Sequence, residues 1–203
     1  MTKQLGFKEV AKERAYAGFI KVDKLTLTQE LPDGSWTKPF TRELINRGHA
    51  AAVLIKDPAT ETFLFTKQFR PGSYANGQPW MYEVVAGMLD GDEDPVETIK
   101  RESMEEAGVT ELSNIEFISE YYPSCGACSE KVSLYYAEAD LSNLPRYAGC
   151  SNEDELIEIY TCSVDEAFKM LKEGKLNAGT NNIALYWYCL LYTSPSPRDR
   201  SLS

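Results

Sequence analysis

The chain has 203 residues, 43% of them hydrophobic and 26% charged, with a formal net charge of −10. That length and mixture suit one domain, or one domain with a small appendage, built around a real core. The acidic balance argues against a nucleic-acid partner, and it would repel a phosphate-bearing substrate unless a cation mediates.

The N-terminal stretch lacks the apolar run of a secretion signal. No apolar stretch reaches membrane-spanning length. The expectation is a cytoplasmic protein with no membrane partner. Residues 1–47 alternate in polarity, and "PDGS" at Pro32–Ser35 marks a turn, so a small antiparallel β-region is expected there. "HAAAVLIKD" (His49–Asp57) and "ETFLFTKQFR" (Glu61–Arg70) read as strands joined by a turn. "RPGSYANGQP" reads as a loop and "WMYEVVAG" (Trp80–Gly87) as one further strand.

A helix is expected from Asp94. Asp94 suits the N-cap, Pro95 suits the first helical position, and Glu97 completes a capping-box arrangement. Gly108 suits the C-terminal stop. Beyond it, "IEFISEYYP" and "KVSLYYAEA" read as strands flanking a Cys125–Cys128 loop, followed by the long polar loop "LSNLPRYAGCSNEDE". "LIEIYTCS" then reads as a strand, "VDEAFKMLKEG" as an amphipathic helix and "NNIALYWYCLLY" as a final core helix. The Ser/Pro/Arg-rich stretch 193–203 reads as disordered, whether native or appended. The class is α+β with a mixed sheet.

The five cysteines are odd in number and carry no secretion signal, which argues against a disulfide framework. Cys125 and Cys128 have the spacing of a redox pair or half a zinc site. No second such pair or nearby His supports zinc, and a flexible loop of small residues is the reading preferred here.

"GMLDGDEDPVETIKRESMEEAGV" (Gly87–Val109) poses the sharpest question. On a helix Glu102 and Glu106 lie one turn apart on one face, and Glu105 sits beside Glu102. Like charges at that spacing repel. One reading is a solvated acidic face. The other is an oxygen-rich site for a hard dication such as Mg²⁺ or Mn²⁺, with Arg101 orienting a neighbouring carboxylate. The wider spacing decides between them. Gly87, Glu93, Arg101, Glu102, Glu105, Glu106 and Gly108 fit G-x5-E-x7-R-E-U-x-E-E-x-G-U, where U is aliphatic. Seven fixed positions at about 7% usage each coincide by accident at roughly one start in 10⁸. Ser103 stands where the pattern has an aliphatic residue, and looser helix packing is expected there.

On these residues the chain resembles the Nudix hydrolases. The resemblance implies an α/β/α sandwich around a mixed sheet and metal-dependent cleavage of a nucleoside diphosphate linked to another moiety. It implies that Glu102, Glu106 and the Ala86 carbonyl ligate metal. It makes Glu105 a metal-linked or supporting carboxylate and Glu93 a structural or water-mediated group.

"RELINRGHAAAVLI", "FTKQFRPGSY", "WMYEVVAGML" and "NEDELIEIYTCS" extend the resemblance, from about Tyr16 to Leu191, to the ADP-ribose pyrophosphatase branch. GDP-mannose and related nucleotide-sugar pyrophosphatases share several of these stretches. The branch implies that Arg70 and Arg42 hold phosphate or ribose, that Phe19 stacks on adenine and that Glu130 contacts substrate. It places the water-activating base on the late loop, at Glu153 or, as the alternate, Glu155. It further implies a homodimer through the N-terminal strands (1–47), with the hydrolase domain over 48–192. A binding module that has lost hydrolysis is the rival from another class, and the intact box carboxylates argue against it.

Overall fold

The computed structural model describes residues 4–149 and 156–192. They fall into two compact units. The first takes the residues up to His49 together with Tyr122–Lys131, and the second takes Ala50–Tyr121 and the residues from Val132 onward.

In the first unit β1 (Phe7–Ala17), β2 (Lys21–Gln29) and β3 (Phe40–Asn46) form an antiparallel sheet in chain order. The expected turn closes where Ser35 N donates to Asp33 Oδ1 at 2.9 Å. Every residue of β1 is exposed. Asp23 is the buried polar group of this sheet, and the Arg14 guanidinium, followed by Lys12, holds its carboxyl below the usual range. The Cys125–Cys128 segment, expected to be a flexible loop, is tied to β3. Ile45 N donates to Ala127 O (2.7 Å) and Ser129 N to Ile45 O (3.0 Å). Both cysteines are free thiols.

The second unit is built on β4 (Ala50–Asp57), whose residues are all buried. Its run of Ala, Val, Leu and Ile suits a strand covered on both faces. β4 pairs antiparallel with β5 (Thr62–Phe69) and parallel with β9 (Val132–Glu138). β8 (Ser113–Tyr121) flanks β9, and β11 (Ile157–Ser163) flanks β5, so the sheet is mixed as expected. β4 and β5 pair only at Ile55–Asp57 and Leu64–Thr62. Beyond that point the partners change. The expected single strand at Trp80–Gly87 is two: β6 (Trp80–Glu83) pairs with β5, and β7 (Val85–Met88) pairs with β4. Val84 lies in neither ladder, at the point where the chain passes from one partner to the other.

Two cores sandwich this sheet. On one face α2 (Pro95–Ala107) packs through Ile99 and Ala107 against Ala51, Val53, Ile55 and Leu64. On the other, α3 (Val164–Lys172) and α4 (Gly179–Tyr192) pack through Ala167, Met170, Leu185 and Tyr188 against Leu54, Phe63, Phe65 and Leu134. The α4 segment is one-sided rather than wholly buried, since Tyr186 and Leu190 are exposed.

Smaller departures have local causes. The loop after Arg70 contains a single turn of helix, α1 (Pro71–Tyr74), opened by Pro at its first position. The late loop contains a short strand, β10 (Tyr147–Ala148), against β11. Asp94 caps α2 by accepting from Val96 N at 2.8 Å, but Glu97 turns to Lys100 (2.7 Å), so the capping box lacks its reciprocal arm. Gly108 ends the helix at φ 72°, a left-handed conformation that glycine adopts without a Cβ penalty.

Candidate functional site

Arg101 answers why the glutamates tolerate one another. From the exposed flank of α2 its guanidinium donates to Glu102 Oε1 at 2.7 Å, to Glu105 Oε2 at 3.2 Å and to Glu93 Oε2 at 3.2 Å. Its remaining reach goes to the Met88 carbonyl (3.2 Å), so it also ties the helix to the end of β7. Surrounded by carboxylates, Arg101 is held still more firmly protonated than a free guanidinium. Glu93 is the converse. Arg101, the Thr98 hydroxyl and the Asp90 N–H lower its pKa to about 2. Glu93 thus ties the loop before α2 to the helix through Thr98 and Arg101.

Glu106 is held differently. It is only 4% exposed, deep against the sheet. A buried carboxylate needs hydrogen-bond donors. Gln68 Nε2 reaches Glu106 Oε1 at 3.4 Å, and Ala86 N donates to Glu106 Oε2 at 3.1 Å. Glu102, one turn earlier, lies flat on Gly87, where any Cβ would overlap its carboxylate. The glycine at the start of the motif therefore admits the Glu102 side chain to the β7 backbone.

Glu105 is more exposed than Glu102 and Glu106. Its side chain is 52% exposed and turned to Arg101. Among the described residues no group of three or more His, Cys, Asp or Glu side chains is close enough to hold a metal ion. The pair Glu102 and Glu106, beside the Ala86–Gly87 backbone, is what remains. Two carboxylates completed by waters and substrate oxygens are the usual protein contribution to Mg²⁺, so the donor set fits a hard dication.

Ser103 is fully buried, and its hydroxyl donates to Ile99 O at 2.6 Å. The polar residue in the aliphatic position is thus satisfied within its own helix.

Arg70, at the end of β5, donates through Nε to Glu83 Oε2 at 2.6 Å. The period-two alternation of β5 places Thr66, Gln68 and Arg70 on one face, and Thr66 Oγ1 donates to the Glu83 carbonyl at 3.3 Å. Gln68 and Glu83 are residues that the sequence reading passed over. The alternation in "TKQFR" carried a signal for Gln68, whereas Glu83 is set by the strand break, which has no local signature. Phe19, Arg42 and Glu130 belong to the first unit. Phe19 is 91% exposed between β1 and β2, Arg42 lies over the Phe40 ring, and buried Glu130 faces Arg47 at 3.7 Å. Glu153 and Glu155 lie outside the described residues.

A cavity of about 240 Å³, lined by Lys67, Trp80, Tyr147, Leu156 and Glu158, opens on the other face of the sheet. Lys67 there lies over Tyr82, whose ring meets that of Tyr160 at a tilt of 60° beside the α3–α4 core, so this cavity is separate from the glutamates.

The NUDIX domain family matches residues 46–182. The ADP-ribose pyrophosphatase of Escherichia coli K12 is 31% identical over 179 residues, covering 88% of this chain and 85% of the relative. That of Haemophilus influenzae is 29% identical over 187 residues, 90% of this chain and 86% of the relative. A GDP-mannose pyrophosphatase of Pectobacterium atrosepticum is 36% identical over 140 residues, 68% and 71% of the two chains. With the family match spanning most of the chain and the box carboxylates set on α2 against β7, this chain belongs to the Nudix hydrolase family.

Proposed function

We propose that this chain is a Mg²⁺-dependent pyrophosphohydrolase that cleaves ADP-ribose to AMP and ribose 5-phosphate. Mn²⁺ is the alternative ion, and GDP-mannose or another nucleotide sugar is the alternative substrate. The observation that carries the reading is Glu106: a nearly buried carboxylate fixed by Gln68 and Ala86 N, one helical turn from a Glu102 seated on Gly87. The pyrophosphatase relatives support the reaction class. The ADP-ribose relatives cover more of the chain than the GDP-mannose relatives do, which favours the first substrate.

Glu102 and Glu106, with the Ala86 carbonyl, would hold the cation. Bound there, a dication supplies the positive charge and Lewis acidity that an anionic diphosphate requires on an acidic protein. The chain's own part is geometric. Arg101 anchors Glu102 and draws Glu105 aside as a supporting carboxylate. Arg70, steadied by Glu83, presents a guanidinium suited to bidentate oxygen contacts. Arg42, Phe19 and Glu130 are assigned to substrate by resemblance, and Glu153 or Glu155 to the proton-accepting role. We place the enzyme in the cytoplasm as a homodimer. β1 supports the dimer, because an 11-residue edge strand exposing Phe7, Val10 and Tyr16 is a surface that a second copy would cover. Sedimentation showing only monomer at micromolar concentration would remove that assignment.

A panel of ADP-ribose, GDP-mannose, ADP-glucose and NADH, assayed with Mg²⁺, ranks the substrates. Glu106→Gln should lower kcat at least about 100-fold while the protein stays folded. Near-normal turnover by folded Glu106→Gln would end the reading.

A further inference from the structure

We propose that Asn181, on the far side of the sheet from the glutamates, is a positioning residue for the site. It is fully buried in α4. Its side-chain amide makes two hydrogen bonds to one short piece of backbone: Val84 N donates to Asn181 Oδ1 at 2.9 Å, and Asn181 Nδ2 donates to Tyr82 O at 2.7 Å. These two groups bracket Glu83, at the point where the chain leaves β5 for β4. A backbone N–H that has lost one strand partner and not yet met the next must be satisfied from elsewhere, and the Asn181 amide supplies that partner for Val84. The groups set by this jog lie on the other face. Glu83 grips Arg70, and two residues beyond Val84 the Ala86 N–H holds Glu106. The amide therefore fixes the phase at which β6 ends and β7 begins, and with it the place of Glu106 relative to Glu102.

The inference rests on the metal site assigned above, and the test separates the two. Asn181→Asp keeps size and shape and keeps an acceptor for Val84, but sets oxygen against oxygen at Tyr82. Asn181→Leu removes both bonds while keeping the heavy-atom count and branching. Asn182→Ala is the control. Among the described residues the Asn182 side chain bonds the carbonyls of Leu176 and Ala178, both just ahead of its own helix, so its loss perturbs α4 without touching the jog. Mn²⁺ binding is followed by calorimetry and electron paramagnetic resonance, scaled to folded protein, alongside kcat and Tm. The Asn181 variants should weaken Mn²⁺ binding and lower kcat by about 10-fold or more. Asn182→Ala should lose stability with wild-type Mn²⁺ affinity. Folded Asn181 variants with unchanged Mn²⁺ affinity and kcat would overturn the proposal. So would the failure of both variants to fold while Asn182→Ala folds, which would assign Asn181 to the fold alone. A wild-type protein that takes up no Mn²⁺ would instead sink the metal site itself.

Discussion

The two faces of the central sheet carry different duties. On the α3–α4 face the contacts are large and apolar, with Phe63 against Tyr188 edge-on at 5.0 Å and Phe65, Leu54, Leu134 and Leu185 fully or nearly fully buried around them. On the α2 face the buried residues are smaller, among them Ala51, Val53 and Ala107, and the space they leave admits Glu106 to the sheet. The second face accepts acidic groups only because each has a named donor: Arg101 for Glu93, Glu102 and Glu105, and Gln68 with Ala86 N for Glu106. The difference sets a packing face against a face of paired acidic groups, with Asn181 as the proposed link between them.

The largest test of that separation is Phe63→Ala. Truncating a fully buried aromatic ring costs about 3–5 kcal/mol, so the chemical-denaturation midpoint and Tm should fall steeply. Turnover per folded molecule should hold. A parallel loss of kcat in the folded fraction would show that the faces are not independent.

Gly87→Ala should give the opposite result. The clash it creates is with the end of the flexible Glu102 side chain, which can swing away. Stability should change by no more than about 1 kcal/mol, while displacement of the carboxylate proposed to hold metal should lower activity by about 10- to 100-fold. Titration with Mn²⁺ beside the thermal melt checks both halves, and an unchanged metal affinity would deny Glu102 its role.

Much of the α2 face was legible in the sequence because its signals are local. Asp94, Pro95 and Gly108 mark the helix by capping chemistry, and the motif spacing selects the glutamates before any coordinates. The strand break at Val84 was not legible. "WMYEVVAG" is apolar throughout, and nothing in its composition says that one half serves β5 and the other β4. That choice depends on the splaying of two strands and on an asparagine almost a hundred residues later in sequence. The partner of Glu105 was not legible for a similar reason. Helical spacing puts Glu105 beside Glu102, but it is Arg101 that sets its direction, by donating to both carboxylates. The partner of the Ser103 hydroxyl, the Ile99 carbonyl one turn back, follows from helix geometry once the side chain is buried.

The smallest effect is expected at the loop before α2, and it reads the α2 face through pH. The pKa of Glu93 lies at about 2 in place of 4.5, first because Arg101 donates to it and then through Thr98 and Asp90. A carboxyl depressed in the folded state contributes stability that is fully present above its unfolded pKa and is lost as pH falls through the folded value. Wild type should therefore exceed Glu93→Gln by its full margin at pH 6, and the margin should shrink as pH drops from about 4.5 toward 2. The deficit of Phe63→Ala, which removes no charge, should stay level over the same range. Urea midpoints at pH 6, 4 and 3 distinguish the two slopes. A margin for Glu93 that does not narrow in acid would mean that the carboxylate acts by packing and not by its ion pair with Arg101.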